Sequence, residues 1–171
     1  MRRLFACLFC IMISIPAAAA PASIKAPKPL LAQVQRLSEL LRDSYAVWYP
    51  DATMVQLVKG HAEDEGLALV VFTVEGFGGG NNHTQYFAAF TSEIAEQGKQ
   101  HFSLVDVIPI AGKGWRGVMK LNAKVTRNPK RNEILIAFDG LEVTGDDAPN
   151  FPSKKVTIHL LLKDGRLVEQ K

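Results

Sequence analysis

The stretch LALVVFTV, residues 67–74, is apolar along nearly its whole length, with Thr73 as its one polar residue. Successive side chains of a β-strand point to opposite faces, so a strand with one wet face alternates apolar and polar residues. This stretch does not alternate. We therefore predict a central strand whose two faces are both covered by other parts of the chain.

A predicted helix before this strand is expected to cover one of the two faces. Apolar residues three or four positions apart indicate one face of a helix. Here they are Leu30, Val34, Leu37, Leu41, Tyr45 and Trp48. Pro29 suits the first helical position, because its missing N–H would have no partner there. Pro50 disfavours helical geometry at Tyr49, so the helix is expected to end before it.

From residue 53 onward the sequence indicates strands. Val156, Ile158 and Leu160 alternate with polar residues, which is typical of an antiparallel sheet with one buried face. The same alternation predicts that four residues of segment 117–126 face inward: Met119, Leu121, Ala123 and Val125. The predicted strands are 53–59, 67–75, 83–91, 101–110, 117–126, 133–143, 154–163 and 166–170.

These elements predict an α+β fold. One N-terminal amphipathic helix would pack on a curved antiparallel meander of seven to eight strands, and residues 29–171 would form a single globular domain. No segment after the helix has a helical period long enough for the crossover that parallel strands need.

Residues 1–22 carry the three parts of an export signal. Arg2 and Arg3 are followed by the apolar run LFACLFCIMISI and by the small residues PAAAAPA. The apolar run is shorter than the roughly 20 residues that span a bilayer. We expect cleavage after Ala19 or Ala22, a flexible leader at 23–28, and a periplasmic or secreted protein that is not inserted in the membrane.

Removal of this signal would change both the charge and the cysteine content. The chain has 20 basic and 17 acidic residues, so losing Arg2 and Arg3 leaves 18 against 17, a net charge of +1. Nucleic-acid-binding proteins usually carry a clear basic excess, so that partner class is not expected. Cys7 and Cys10 would leave with the signal, which excludes cysteine catalysis, cysteine-ligated zinc and disulfides from the mature chain. No cofactor is predicted.

Alternate connections of a meander lie at the same end of its sheet. The connections 60–66, 92–100, 127–132 and 164–165 are mostly charged or polar, and we name their end the charged end. The connections 76–82, 111–116 and 144–153 contain glycine, proline and aromatic residues, and we name theirs the aromatic end. Binding residues favour loops on a rigid scaffold, and tryptophan and arginine are frequent in binding hot spots. The binding residues predicted on this basis are Phe77, Lys113, Trp115, Arg116 and Phe151.

Two of these assignments have alternatives. Trp115 could start the next strand and pack inward, leaving only Lys113 and Arg116 in water. Phe77 could fold back onto the sheet instead of being offered to a ligand.

The stretch EGFGGGNNH, residues 75–83, suggests a second kind of site. Glu75 and His83 would face each other where a hairpin begins, and a carboxylate can make an imidazole a general base or share a metal with it. The alternative is a wide turn, in which the glycines and asparagines supply positive φ angles and the two residues are an ordinary cross-strand pair. No G-x-S-x-G or H-E-x-x-H motif occurs, and no metal site is predicted.

Three functions are compatible with these observations. The leading hypothesis is a non-enzymatic periplasmic binding protein that contacts an envelope or secreted protein through the loops of the aromatic end. The second is a small-ligand receptor or an enzyme that uses Glu75 and His83, with Asp106 or Asp139 brought near by the curved sheet. The third is a structural envelope protein without a discrete site.

Overall fold

In the computed structural model, residues 26–60, 66–95 and 98–170 are described. They form one α-helix, ten strands and a short 3₁₀ turn at Pro50–Ala52. These elements are α1 (Lys28–Leu41), β1 (Val47–Trp48), β2 (Met54–Lys59), β3 (Gly66–Phe77), β4 (Asn82–Ile94), β5 (Gln100–Gly112), β6 (Arg116–Gly117), β7 (Lys124–Asn128), β8 (Glu133–Glu142), β9 (Lys154–Lys163) and β10 (Arg166–Gln170). The predicted signal, both cysteines and positions 23–25 of the predicted leader lie outside the described residues.

The predicted fold class, a helix on a meander of seven to eight strands, is wrong. The described residues form one ten-stranded antiparallel sheet in the order β1-β3-β4-β5-β6-β8-β9-β10, with β2 also paired to β3 and β7 to β8. More than half of the described residues lie in strands. The strands missed by the sequence, β1 and β6, are two residues long, which is too short to leave an alternating pattern.

The helix is also shorter than predicted, because it ends at Leu41. Arg42 is already extended, with φ −85° and ψ 156°. The carboxylate of Asp43 accepts hydrogen bonds from the N–H groups of Tyr45 (2.9 Å) and Ala46 (2.8 Å). Such local side-chain bonds offer the backbone an alternative to the helix. The apolar spacing continued to Trp48 because that residue, on β1, packs on the same core as the helix.

Strand β3 is central and covered on both faces, as predicted. It pairs with β2 on one side and with β4 on the other. One of its faces contributes to a helix-side core, whose buried members are Leu30, Val34, Leu37, Ala46, Ala68, Val70, Phe72, Val74, Ala88, Phe90 and Phe102. Helix α1 covers this face.

The opposite face of β3 contributes to an inner core. The sheet curves so that β2–β5 face β7–β10, and side chains from both halves meet. The inner core is made of Leu67, Leu69, Val71, Phe87, Ala89, Ile110, Ala111, Val118, Ala123, Ile136, Phe138, Ile158, Leu160, Leu162 and Leu167. The predicted alternation of β9 is confirmed, because Ile158, Leu160 and Leu162 are buried and their polar neighbours are exposed.

Segment 118–123 is not a strand, although the sequence predicted one across 117–126. Gln85 accepts from the N–H of Val118 (2.7 Å) and donates to its C=O (3.0 Å), and Gln56 does the same for Ala123 (2.6 and 2.8 Å). Two glutamine side chains thus satisfy peptide groups that a neighbouring strand would otherwise satisfy. Met119 is largely exposed, contrary to the prediction that it faces inward.

Candidate functional site

At the aromatic end, connection 111–116 contacts both of the other connections. The N–H of Gly114 donates to the C=O of Pro149 (2.8 Å), and the N–H of Val143 donates to the C=O of Trp115 (2.9 Å). The ammonium of Lys113 donates to the side-chain oxygen of Asn81. Hydrogen bonds therefore join connection 111–116 to the two other connections of this end.

Trp115 faces outward and Arg116 faces inward. Trp115 is 42% exposed, whereas Arg116 is only 7% exposed. The guanidinium carbon lies 4.3 Å from the centre of the Trp115 ring, a cation–π contact. Arg116 also forms a two-pronged ion pair with Glu169 of β10, at 2.8 and 2.9 Å. The reading in which Trp115 packs inward and Arg116 stays in water does not hold, and Arg116 supports the indole from inside the protein.

Phe151 lies on a connection that is closed by one carboxylate. Asp147 accepts hydrogen bonds from the N–H of Thr144 (2.8 Å) and from the N–H and hydroxyl of Ser153 (3.1 and 3.0 Å). These bonds, that of the Thr144 N–H foremost, lower the pKa of Asp147 from its ordinary value of 3.8. Phe151 itself is 75% exposed. The loop is thus organised around Asp147 while its phenyl ring remains in water.

Tyr45 is a third exposed aromatic residue at this end, and the sequence placed it on the buried face of the helix. Because the helix ends at Leu41, Tyr45 is instead 67% exposed. Asp43 joins this segment to the glycine turn, because it also accepts from the N–H of Gly78 (2.8 Å). That bond is the main cause of the lowered pKa of Asp43.

The stretch EGFGGGNNH forms a turn. Gly76, Gly78 and Gly79 have positive φ angles of 100°, 67° and 72°. The predicted positive φ at Gly80, Asn81 and Asn82 does not occur. Phe77 is half-buried and packs against the helix-side core, so it folds back onto the sheet and is not offered to a ligand.

Glu75 and His83 are cross-strand partners in the β3–β4 ladder, as expected. Among the described residues, however, no ion pair within 4.0 Å links their side chains. The two aspartates that could have joined this pair, Asp106 and Asp139, have different environments. Asp106 accepts from the N–H of Leu167 (2.8 Å), and Asp139 is exposed on β8.

His83 does border a small cleft of about 90 Å³. Its lining comprises His83, Gln85, Gly112, Arg116, Gly117, Met119, Pro149, Asn150 and Pro152. The exposed Met119 therefore lies beside the connection that carries Phe151. The sequence did not predict Tyr45 or Met119 at this end. The apolar pattern placed Tyr45 on a helix that in fact ends at Leu41, and it placed Met119 on a strand that is absent from 118–123.

Comparison with protein-family models, with curated proteins and with solved structures finds no match to this chain. Within the described ranges, no three His, Cys, Asp or Glu residues are grouped so that they could hold a metal ion. No helix in the described part of the chain has the length and apolar character needed to cross a membrane.

Proposed function

We propose that the chain is an exported, non-enzymatic binding protein that contacts an envelope or secreted protein through its aromatic end. The observation that carries this proposal is the support beneath three exposed aromatic residues. Tyr45 is positioned by Asp43, Phe151 by the loop around Asp147, and Trp115 by Arg116.

This support matters because association must offset the entropy lost when an interface becomes ordered. Loops that are already ordered lose less entropy on binding. Burying a phenyl-sized side chain contributes about 1.5–3 kcal/mol, and aromatic residues are frequent among hot spots. A partner that covered Tyr45, Trp115 and Phe151 together would therefore gain apolar burial at a reduced entropic cost.

The two predicted cations take different roles in this proposal. Lys113 is exposed and lies at the rim, where a charge affects the association rate more than the affinity. Arg116 is a positioning residue, because its guanidinium is engaged by Glu169 and covered by the indole. Phe77, which packs on the helix-side core, has no contact role.

Export is part of the same proposal. Residues 1–22 would act as the signal, and the mature chain would begin at Ala20 or Ser23, after cleavage behind Ala19 or Ala22. N-terminal sequencing of the protein recovered from the periplasm or the medium tests this directly. Recovery of the uncleaved chain from the cytoplasm would contradict it.

The binding proposal is tested by capture from an envelope extract with three baits. These are the wild type, the double variant Trp115→Ala/Phe151→Ala, and the matched double variant Leu135→Ala/Val168→Ala. The matched pair removes exposed apolar side chains from β8 and β10. We expect one protein to be retained by the wild type and the matched variant and lost by the first variant, with all three baits folded. Retention by all three would contradict the proposal, as would retention by none.

A second candidate is a small-ligand receptor or an enzyme that uses Glu75 and His83. The observation in its favour is that His83 borders the 90 Å³ cleft together with Arg116 and Asn150. His83→Gln should then remove stabilisation by a ligand and leave partner capture unchanged. His101→Gln, at an exposed position, is its matched control.

The third candidate, a structural envelope protein, predicts that no loop substitution alters binding.

A further inference from the structure

The two halves of the curved sheet separate at the charged end and leave a cleft of about 390 Å³. Four apolar side chains from both halves line it, and we name them the cleft floor: Leu67, Val105, Ile134 and Leu162. Leu67 and Leu162 belong to the inner core, and the two others pack against it. The cleft is therefore an opening into the apolar interior between the two halves of the sheet. Its volume lies within the range of about 300–1,000 Å³ that is usual for ligand pockets.

Arg127 is a cation on the inward side of β7. It pairs with Ile134 of β8, which in turn pairs with Leu162 of β9, so the three side chains share one face of the sheet. Arg127 is half-buried and lines the cleft. Arginine is rarely placed on the apolar side of a sheet unless its charge is compensated.

The hydrogen bonding of Arg127 within the described residues is sparse. A guanidinium has five N–H donors. In the described ranges Arg127 makes one hydrogen bond, from Nη2 to the C=O of Lys59, and at 3.5 Å it is long. Within those ranges the other N–H donors of this guanidinium make no hydrogen bond, and there they can meet an anion in the cleft.

The other charged residues that line the cleft in the described ranges are placed differently. Lys163 donates to Glu133 at 3.1 Å, so its charge is already paired. Glu93 and Asp164 are exposed, and exposed carboxylates are well solvated without a partner. Among the described residues, Arg127 is therefore the cation that lines the cleft without an ion pair, and a negatively charged head group would complement it.

We propose that this cleft binds a single-chain amphiphile with a carboxylate head. The head pairs with Arg127, for which a carboxylate offers a two-pronged geometry. The tail lies on the cleft floor. This site is at the opposite end of the sheet from Tyr45, Trp115 and Phe151, and it does not depend on the function proposed for them.

The proposal is tested by titrating the purified protein with decanoate below its micelle concentration, followed by backbone amide NMR. We expect saturable shifts at Gly66, Leu67 and Leu162 and none at Trp115. Decyltrimethylammonium has the same tail and the opposite charge, and it should bind at least tenfold more weakly. Absence of saturable shifts at the cleft would overturn the proposal, and so would equal binding of the two probes.

Two further variants test the head and the tail separately, and a third is a control. Arg127→Gln keeps a polar side chain and removes the cation, and it should weaken decanoate binding about tenfold or more. Arg131→Gln, at an exposed position of the neighbouring turn, is the matched control and should bind decanoate like the wild type. Thr91→Phe should fill the cleft and abolish binding. Unchanged affinity in Arg127→Gln, or equal losses in Arg127→Gln and Arg131→Gln, would refute the assignment of Arg127.

Discussion

Replacing Arg116 by methionine tests whether a buried ion pair supports the exposed indole of Trp115. Methionine keeps most of the length of the side chain and removes the charge. Arg116 is 7% exposed and Glu169 33% exposed, so the pair is largely but not fully desolvated. Loss of one partner of a buried pair costs about 3–5 kcal/mol, because the other charge remains without compensation.

The expected cost here is smaller. Glu169 can still reach water, and the Nε of Arg116 is buried without a hydrogen-bond partner among the described residues. An unsatisfied donor of this kind costs about 1–3 kcal/mol in the wild type, and methionine removes it. We therefore expect Arg116→Met to lower the free energy of unfolding by about 2–4 kcal/mol.

The assay is urea unfolding of Arg116→Met, Glu169→Gln and the double variant, followed by circular dichroism. The coupling energy from this cycle should be about 1.5–3 kcal/mol, the range for hydrogen bonds to charged groups. The exposed pair Lys154–Glu142 provides the matched cycle, which should give less than about 1 kcal/mol. Equal coupling in the two cycles would refute the idea that the Arg116–Glu169 pair holds this end of the sheet.

Three further predictions concern the loops and the inner core. Hydrogen bonds lower the pKa of Asp147 in the folded state, so its contribution to stability is complete above pH 3.8 and is lost as the pH falls through the folded-state pKa. The amide signals of residues 144–153 should therefore shift in an acid titration, and Asp147→Asn should abolish that transition. Gln85→Leu leaves a buried N–H and C=O without partners and should cost about 2–4 kcal/mol in urea unfolding. Gly112→Ala would place a Cβ 2.8 Å from a carbonyl oxygen and should lower the melting temperature by several degrees, whereas Gly145→Ala meets no atom within 4 Å and should leave it unchanged.

The sequence predicted the parts of the fold that rest on long apolar patterns. The doubly covered stretch 67–74 and the alternating strand 154–163 both lie where their patterns place them. These two hydropathy patterns are strong signals because each one extends over eight or more residues of a single strand. Burial on one or two faces follows directly from such a pattern.

The parts that the sequence missed depend on single polar side chains. Asp43 ends the helix and leaves Tyr45 exposed, although the apolar spacing continues through that residue. Gln56 and Gln85 take the place of neighbouring strands along segment 118–123. A hydropathy pattern contains no information on which backbone group a particular side-chain amide or carboxylate will hydrogen-bond.

The candidate site was predicted in part for the same reason. The connections of the aromatic end lie together as they were grouped, and Trp115 is exposed as a binding residue must be, but Arg116, which was predicted to contact a partner, is buried. The partner that draws Arg116 inward is Glu169, which is more than fifty residues away in sequence. The cleft at the charged end was missed because its loops are hydrophilic, while its floor is formed by strand residues from both halves of the sheet.

The central claim, that the aromatic end is a protein-binding surface, is tested most directly by photo-crosslinking in the cell envelope. Benzoylphenylalanine would replace Phe151 in one variant, Tyr45 in a second and Leu135 of β8 in a third. We predict that the first two variants crosslink to the same protein and that the third does not. No crosslink from Phe151 and Tyr45, or the same products from all three positions, would contradict the claim.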